Sequence, residues 1–337
     1  VNSLLSSKNV DAVYIATPHN SHYEYVFKAI KNKKHILCEK PITINHIESM
    51  VLFGLAQDAE VFLMEAYMYR THPQTLNILN HLKILRDVKE NISINCSFGF
   101  KADIPEDHRL RNLAMGGGAI LDVGCYPMSM VKLLAGQILS KPYADPKSIE
   151  VIGELDKTGV DLNSKARIIF TDNIKANIEC AINKEYKNNL EIISGDFKLE
   201  VSQPWHCGQF QKGHSSIKVY DKNILVEEIV YKDNVGLFTR EIDHASQCIL
   251  EGKLESELIP HNDSQSNMLW LDKWRQEVGV VCPFEFKDIS PMVKSNFYSI
   301  QKRKLASIPV DNMSKEFSRL VLGCDNQTSD IHAYAMF

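Results

Sequence analysis

Two short stretches of this chain hold residue types able to carry a proton to or from an oxygen atom. The first is Glu39-Lys40-Pro41. It follows His35–Cys38, a short apolar run that reads as a buried strand, so Lys40 stands at a strand's carboxyl end, where open α/β sheets place their ligands. A lysine there can point into the crevice, and partial burial or a nearby positive charge lowers its pKa towards working pH. The second is Asp122 with Tyr126. If Ala119–Leu134 is helical, the i, i+4 spacing puts both side chains on one face. A tyrosine hydroxyl passes a proton if a cation such as Lys40 lowers its pKa, and Asp122 would orient a hydroxyl or the Lys40 ammonium. Each residue also has a plain structural role open to it: a surface lysine on a βα loop, a capping aspartate, a core tyrosine.

The elements that must hold these groups are legible in the apolar pattern. Val10–Ala16 is a short run rich in β-branched residues and reads as a buried parallel strand ended by Thr17-Pro18. His22–Lys33 has apolar Tyr25, Val26, Ala29 and Ile30 at helical spacing, Thr43–Gln57 carries a second stripe, and Glu60–Ala66 returns as a strand. This is the later half of a doubly wound, dinucleotide-binding sheet. No glycine precedes Gly54, so the glycine-rich phosphate turn is missing from the stretch. The expectation is a chain that begins partway through such a domain, with roughly 60 residues absent. The other reading is a shortened sheet that binds nothing.

After Pro73, Thr75–Leu85 reads as a connecting helix, and the boundary falls there. Beyond it Ile92, Ile94, Cys96, Phe98 and Phe100 alternate with polar residues, as do Ile174, Ala176, Ile178 and Cys180. Further strands are predicted at 149–155, 166–171, 190–194, 197–201, 216–220 and 225–230, with helices at 113–134, 237–251 and 264–279. Half-buried strands in series imply a largely antiparallel open sheet covered on one face by helices. The fold class is therefore α/β plus α+β: a truncated Rossmann-type parallel sheet, then a largely antiparallel open-sheet domain.

With 337 residues there is room for two cores. Hydrophobic content of 44% and charged content of 24% are ordinary for a globular protein, and a net charge of −4 gives no basic footprint for nucleic acid. No uninterrupted apolar stretch is long enough for a bilayer, and the start does not resemble a signal peptide. The eight cysteines form no C-x-x-C pair and read as thiols in a reducing cytoplasm. His19 and His22 lack a cysteine or carboxylate cluster around them, so no metal is expected.

Glu39-Lys40-Pro41 after a strand, with Ala16-Thr17-Pro18 one βα unit earlier, resembles the glucose–fructose oxidoreductase / inositol dehydrogenase (Gfo/Idh/MocA) family. Met64–Tyr67 through Arg70–Pro73, Gly116–Pro127, and Glu241-Ile242 followed by Gly252 and Glu255-Ser256 extend the likeness over about residues 1–285. Tyr126, where many relatives have histidine, is similar to the dihydrodiol-dehydrogenase and glucose–fructose branches. The resemblance implies an NAD- or NADP-dependent oxidoreductase. It would move a hydride between nicotinamide and a CH–OH or C=O carbon of a sugar, cyclic polyol or trans-dihydrodiol. Lys40, Tyr126 and Asp122 would be catalytic. Ala16, Thr17, Pro18, His19, Asn20 and His22 would lie along the dinucleotide, Glu39, Lys40 and Pro41 by the nicotinamide ribose, and Tyr67 and Arg70 at the border of the same crevice. Arg109 and Arg111 would hold substrate hydroxyls. Gly116-Gly117-Gly118 lies in the second domain and is read as close backbone approach to ligand rather than as a phosphate loop.

The same resemblance implies a homodimer; with the composition and patterning above, the expectation is domains at 1–73 and 74–308, a cytoplasmic location, no membrane and no nucleic-acid partner. The alternative is a catalytically silent nucleotide- or sugar-sensing relative. Without the glycine turn, residues 1–337 themselves are expected to bind NAD(P)H poorly and to be inactive. Finally, Phe317–Asn326 resembles the opening strand of an aldo/keto reductase barrel. Residues 314–337 are thus expected to be loosely packed, with the gene continuing into a (β/α)₈ module.

Overall fold

A computed structural model describes residues 1–208, 214–232, 235–236, 238–281, 307–308 and 317–318. Residues 1–283 form one compact unit and 284–337 another. In the second, Ser307–Ile308 pairs antiparallel with Phe317–Ser318; the rest of the expected 314–337 tail lies outside the described residues.

Strands β1 (Ala12–Ile15), β2 (His35–Glu39) and β3 (Leu63–Ala66) form a parallel sheet in that order. β2 is central, so Ile36, Leu37 and Cys38 are buried. β1 is an edge strand, and Tyr14 on it is 44% exposed, against the expectation of a strand buried on both sides. Helix α1 (Asn2–Leu5) precedes the sheet, α2 (His19–Lys31) packs on it, and α3 (His46–Asp58) packs on α2. α2 begins at His19 rather than His22, directly after Pro18, where a residue fixed at φ −59° leads naturally into a helix. α3 begins at His46 rather than Thr43 because the Asn45 side chain accepts a hydrogen bond from the Glu48 N–H at 2.9 Å.

α4 (Pro73–His81) leads to an eight-stranded sheet. Its strands are β4 (Ile92–Gly99), β5 (Ser148–Leu155), β6 (Asp161–Ile169) and β7 (Ile174–Ala181), then β8 (Asn189–Ser194), β9 (Phe197–Ser202), β10 (Ser215–Asp221) and β11 (Ile224–Tyr231). Spatial order is β11-β10-β9-β8-β4-β7-β6-β5, antiparallel throughout except for the parallel pair β4–β7. Register aligns the apolar alternation, with Ile94 opposite Ala176 and Cys96 opposite Ile178. That face is covered by α5 (Cys125–Ile138) and α7 (His261–Val278), with α6 (Thr239–Leu250) packed on β2. The opposite face carries cross-strand pairs such as Lys165–Glu179, Lys198–Glu191 and Lys218–Glu228.

The helix expected at 113–134 is broken. Leu113–Met115 is a 3₁₀ turn, and Gly116 and Gly118 then adopt left-handed φ of 68° and 109°. Ile120–Gly124 is a π turn before α5. The stretch Leu113–Ile138 is long and apolar enough for a membrane span, which the sequence reading did not foresee; its apolar window is wholly buried within the protein. α7 also packs against α3 and β3 of the smaller sheet, so its contacts cross the boundary expected near residue 73. The six described cysteines are buried thiols outside any disulfide.

Candidate active site

The loops after β1 and β2 face each other across a cleft of about 300 Å³. His22 holds them in place: its ring, wholly buried, lies 2.7 Å from the Thr17 carbonyl and 2.8 Å from the Pro41 carbonyl. Burial lowers its pKa, so the imidazole is neutral and donates to one carbonyl at a time. Ala16, Thr17 and Pro18 form one wall; Glu39 and Lys40 form the other. The Glu39 carboxylate accepts a short hydrogen bond from the Tyr14 hydroxyl.

Lys40 reaches across to the second segment. Its Nζ donates to the Asp122 backbone carbonyl at 2.6 Å and lies 3.9 Å from Asp122 Oδ1. The same carbonyl receives the Cys125 thiol at 3.7 Å, and the residue five positions on, which would be its donor in a π turn, is Pro127, which has no N–H to give. Arg109 Nη2 lies 3.3 Å from Asp122 Oδ1 and His19 Nε2 lies 3.9 Å from it. Burial pushes the Asp122 carboxyl up, but the Lys40 and Arg109 cations more than offset this and hold it below the usual carboxylate range. His19 is held neutral, first by burial and then by the Lys40 charge. Its Nδ1 lies 2.9 Å from the Gly116 carbonyl, to which it can only donate, so Nε2 carries the lone pair facing Asp122. The Asp122 carboxylate thus meets two cations and a neutral imidazole, and with Glu39 on the Lys40 wall the cleft carries two cations and two carboxylates.

Other expected site residues fall elsewhere. Arg70 is buried, 2.9 Å from Asp263, with further bonds to Ser129 Oγ and the Leu258 carbonyl. Tyr67 is buried too, its hydroxyl receiving a bond from Asn267 at 2.9 Å. Neither borders the cleft. Arg111 turns away and grips Asp156 through two bonds of 2.7 and 2.9 Å. Asn20 is exposed on the first turn of α2 and does not line the cleft. Tyr126 stands behind Lys40, whose Nζ lies 5.1 Å from the ring centre. The ring packs among Tyr67, Tyr69, Phe98 and Trp205, and the hydroxyl donates to Met68 Sδ at 3.4 Å. Burial, reinforced by surrounding acidic groups, raises its pKa well above the ordinary value. The expected lowering by Lys40 is overturned: the phenol keeps its proton.

Two carboxyls escaped the sequence reading. Asp161 Oδ2 accepts from the Ile120 N–H at 2.6 Å, anchoring the π turn that carries Asp122. Glu241 on α6 is fully buried with neither oxygen hydrogen-bonded among the described residues, and burial with the Glu39 charge pushes it up to about 9. Glu241 had been read only as part of a family segment, and nothing local marks it as buried.

A parallel sheet with a ligand cleft at its carboxyl edge, backed by an open sheet, is an oxidoreductase architecture. Residues 1–67 match a family model described as an oxidoreductase family with an NAD-binding Rossmann fold, and residues 90–201 match the GFO/IDH/MocA C-terminal domain. The chain belongs to the Gfo/Idh/MocA oxidoreductase family. It is 27% identical over 283 residues to trans-1,2-dihydrobenzene-1,2-diol dehydrogenase of Xenopus tropicalis, covering 83% of this chain and 82% of that protein. It is 25% identical to D-xylose 1-dehydrogenase (NADP(+)) 2 of Haloferax volcanii, over 80% and 78% of the two chains. Among solved structures, a 3-ketoreductase from Actinomadura kijaniata in complex with NADP and TDP-benzene superposes with a TM-score of 0.70 at 24% identity, covering 82% of this chain and 81% of that one. An aldose-aldose oxidoreductase from Caulobacter crescentus gives 0.70 at 18% identity, over 82% and 79%.

Proposed function

We propose that this protein is an NAD(P)-dependent dehydrogenase that interconverts CH–OH and C=O at one carbon of a sugar, cyclic polyol or trans-dihydrodiol. The observation that carries this reading is the Lys40–Asp122–Arg109 cluster at the carboxyl end of β2, with the Lys40 ammonium lining the cleft. The residues present fit the nicotinamide end of a dinucleotide. Glu39 offers carboxylate oxygen to ribose hydroxyls, and the Thr17-Pro18 turn gives a flat wall beside it. When bound, nicotinamide supplies or accepts the hydride.

The chain's own residues manage the proton and the charge. One Lys40 N–H is spent on the Asp122 carbonyl, leaving two for a substrate oxygen. In reduction Lys40 gives a proton to that oxygen; in oxidation it takes one back. Asp122 orients the ammonium, and the Lys40 charge stabilises an oxygen that becomes negative in the transition state. Tyr126, protonated and held only by a weak sulfur contact, is a second donor behind Lys40. Arg109 hydrogen-bonds substrate hydroxyls at the rim. We further propose a homodimer in the cytoplasm, built on the uncovered sheet face; light scattering giving a monomer mass would exclude the dimer.

The test is turnover of a panel of trans-dihydrodiols, aldoses and cyclic polyols with millimolar NAD⁺ or NADP⁺, followed by absorbance of the reduced cofactor. Slow turnover of at least one, driven by the millimolar cofactor against its weak binding and lost in Lys40→Ala, is the expected result. Absence of turnover across the panel, with ligand binding retained, would instead support a silent sensing protein.

A further inference from the structure

Helix α6 carries His244 and Cys248 one turn apart, and the loop after it brings Glu257 beside them. His244 Nε2, Cys248 Sγ and a Glu257 carboxylate oxygen all lie within 4.8 Å of one another. The thiol sulfur is 3.6 Å from Nε2 and 3.9 Å from Glu257 Oε2. Bond lengths of about 2.3 Å to sulfur and about 2.0 Å to nitrogen or oxygen give a tetrahedral zinc site edges of roughly 3.5 Å. The sulfur–nitrogen edge is already in place, and a turn of the exposed glutamate closes the other two, from 3.9 Å to sulfur and from within 4.8 Å to nitrogen.

The ring tautomer also suits a metal. Ser256 Oγ accepts from the Leu258 and Ile259 N–H groups at 3.0 and 3.2 Å, so its single hydrogen points at His244 Nε2, 2.7 Å away. Nε2 therefore carries a lone pair, which the Ser256 hydroxyl now occupies and gives up by turning away when a metal binds. Lys253 competes for the glutamate, at 3.1 Å from Glu257 Oε2, but it also holds Glu251 at 2.8 Å and keeps that partner when Glu257 turns.

We propose that His244, Cys248 and Glu257 bind a zinc-class divalent cation, with water as fourth ligand, at a site apart from the cleft that ties α6 to the loop before α7. One imidazole, one thiolate and one carboxylate select zinc over the oxygen-seeking calcium and magnesium. Binding releases the thiol proton to solvent.

The full chain, stripped by a chelator, is titrated with Co²⁺ and then Zn²⁺. Expected are the near-ultraviolet thiolate-to-cobalt band, the visible bands of a tetrahedral site, and their loss on adding Zn²⁺. Cys248→Ala should abolish the near-ultraviolet band. Glu257→Gln alters a side chain 60% exposed and leaves the fold intact. Even outer-shell changes cost about tenfold to hundredfold in metal affinity, so loss of this direct ligand should cost at least about tenfold. Absence of the thiolate band, its persistence in Cys248→Ala, or unchanged affinity in Glu257→Gln would each overturn the site.

Discussion

Lys40 and Tyr126 make different demands on the chemistry. Lys40 lines the cleft and offers N–H groups to a substrate oxygen, so Lys40→Ala should lower kcat by about 10²–10⁴ at saturating substrate. Near-normal turnover would remove it from the mechanism. Tyr126→Phe keeps the ring among its aromatic neighbours and gives up one weak contact to sulfur. An unchanged melting temperature with kcat reduced by about tenfold or more is expected; full activity would leave Lys40 as the sole proton donor. The two arginines separate in the same assay. Arg109→Ala should raise KM, because its guanidinium faces the cleft beside Asp122, while Arg111→Ala should leave KM alone, since its bonds go to Asp156.

At the scale of elements, the π turn Ile120–Gly124 is fixed from outside by Asp161, and Gly118 makes room for that contact. Gly118 sits at φ 109°, and a Cβ there would lie 2.2 Å from Asp161 Oδ1. Gly118→Ala should therefore destabilise the protein by about 1–3 kcal/mol, readable by urea unfolding, from backbone strain alone. Asp161 also sets a pH dependence. Burial pushes its carboxyl up to about 7, and the same cause raises Glu65 to about 7. An unfolded carboxyl titrates near ~4. Between those values the folded state holds the extra protons, so this contribution is complete below pH ~4 and is lost as pH rises through about 7. The fall in melting temperature between about pH 5 and about pH 7, within this window, should be smaller in Asp161→Asn than in the parent. Parallel curves would contradict it.

Across the whole molecule, Asp263 joins the two sheets: Arg70 reaches it from the segment after β3 at 2.9 Å, and Lys132 from α5 at 3.1 Å. All three are buried. Asp263→Ala leaves two buried cations facing each other and should cost about 3–5 kcal/mol of unfolding free energy; a loss under about 1 kcal/mol would mean water already reaches the pair. Cofactor affinity belongs to this scale too. Residues 1–53 hold no glycine, so residues 1–337 offer no glycine turn to the pyrophosphate. Calorimetry should find NADPH binding far weaker than micromolar, and micromolar binding would require another pyrophosphate cradle.

Period-two alternation and 3.6-residue stripes are local properties, which is why the strands from Ser148 to Tyr231 and helices α6 and α7 fall close to where the sequence puts them. Short motifs are local as well, and Glu39-Lys40 and Asp122 meet in one cleft as their positions at element ends imply. Burial and long-range partners are not local. Arg70 was drawn from the crevice by Asp263, 193 residues away, and Arg111 by Asp156, 45 residues away. Tyr126 reads as a proton carrier poised by Lys40 until five aromatic rings pack together and burial holds its proton in place. The i, i+4 argument joining it to Asp122 assumed an α-helix; a π turn spans Ile120–Gly124 instead, and Lys40 donates to the Asp122 carbonyl at its centre. The sequence by itself determined which elements form and which polar groups stand at their ends. The tertiary structure alone decided which of those groups stay in contact with a ligand and which are neutralised in the core, because desolvation and ion pairing depend on neighbours that the chain brings together only on folding.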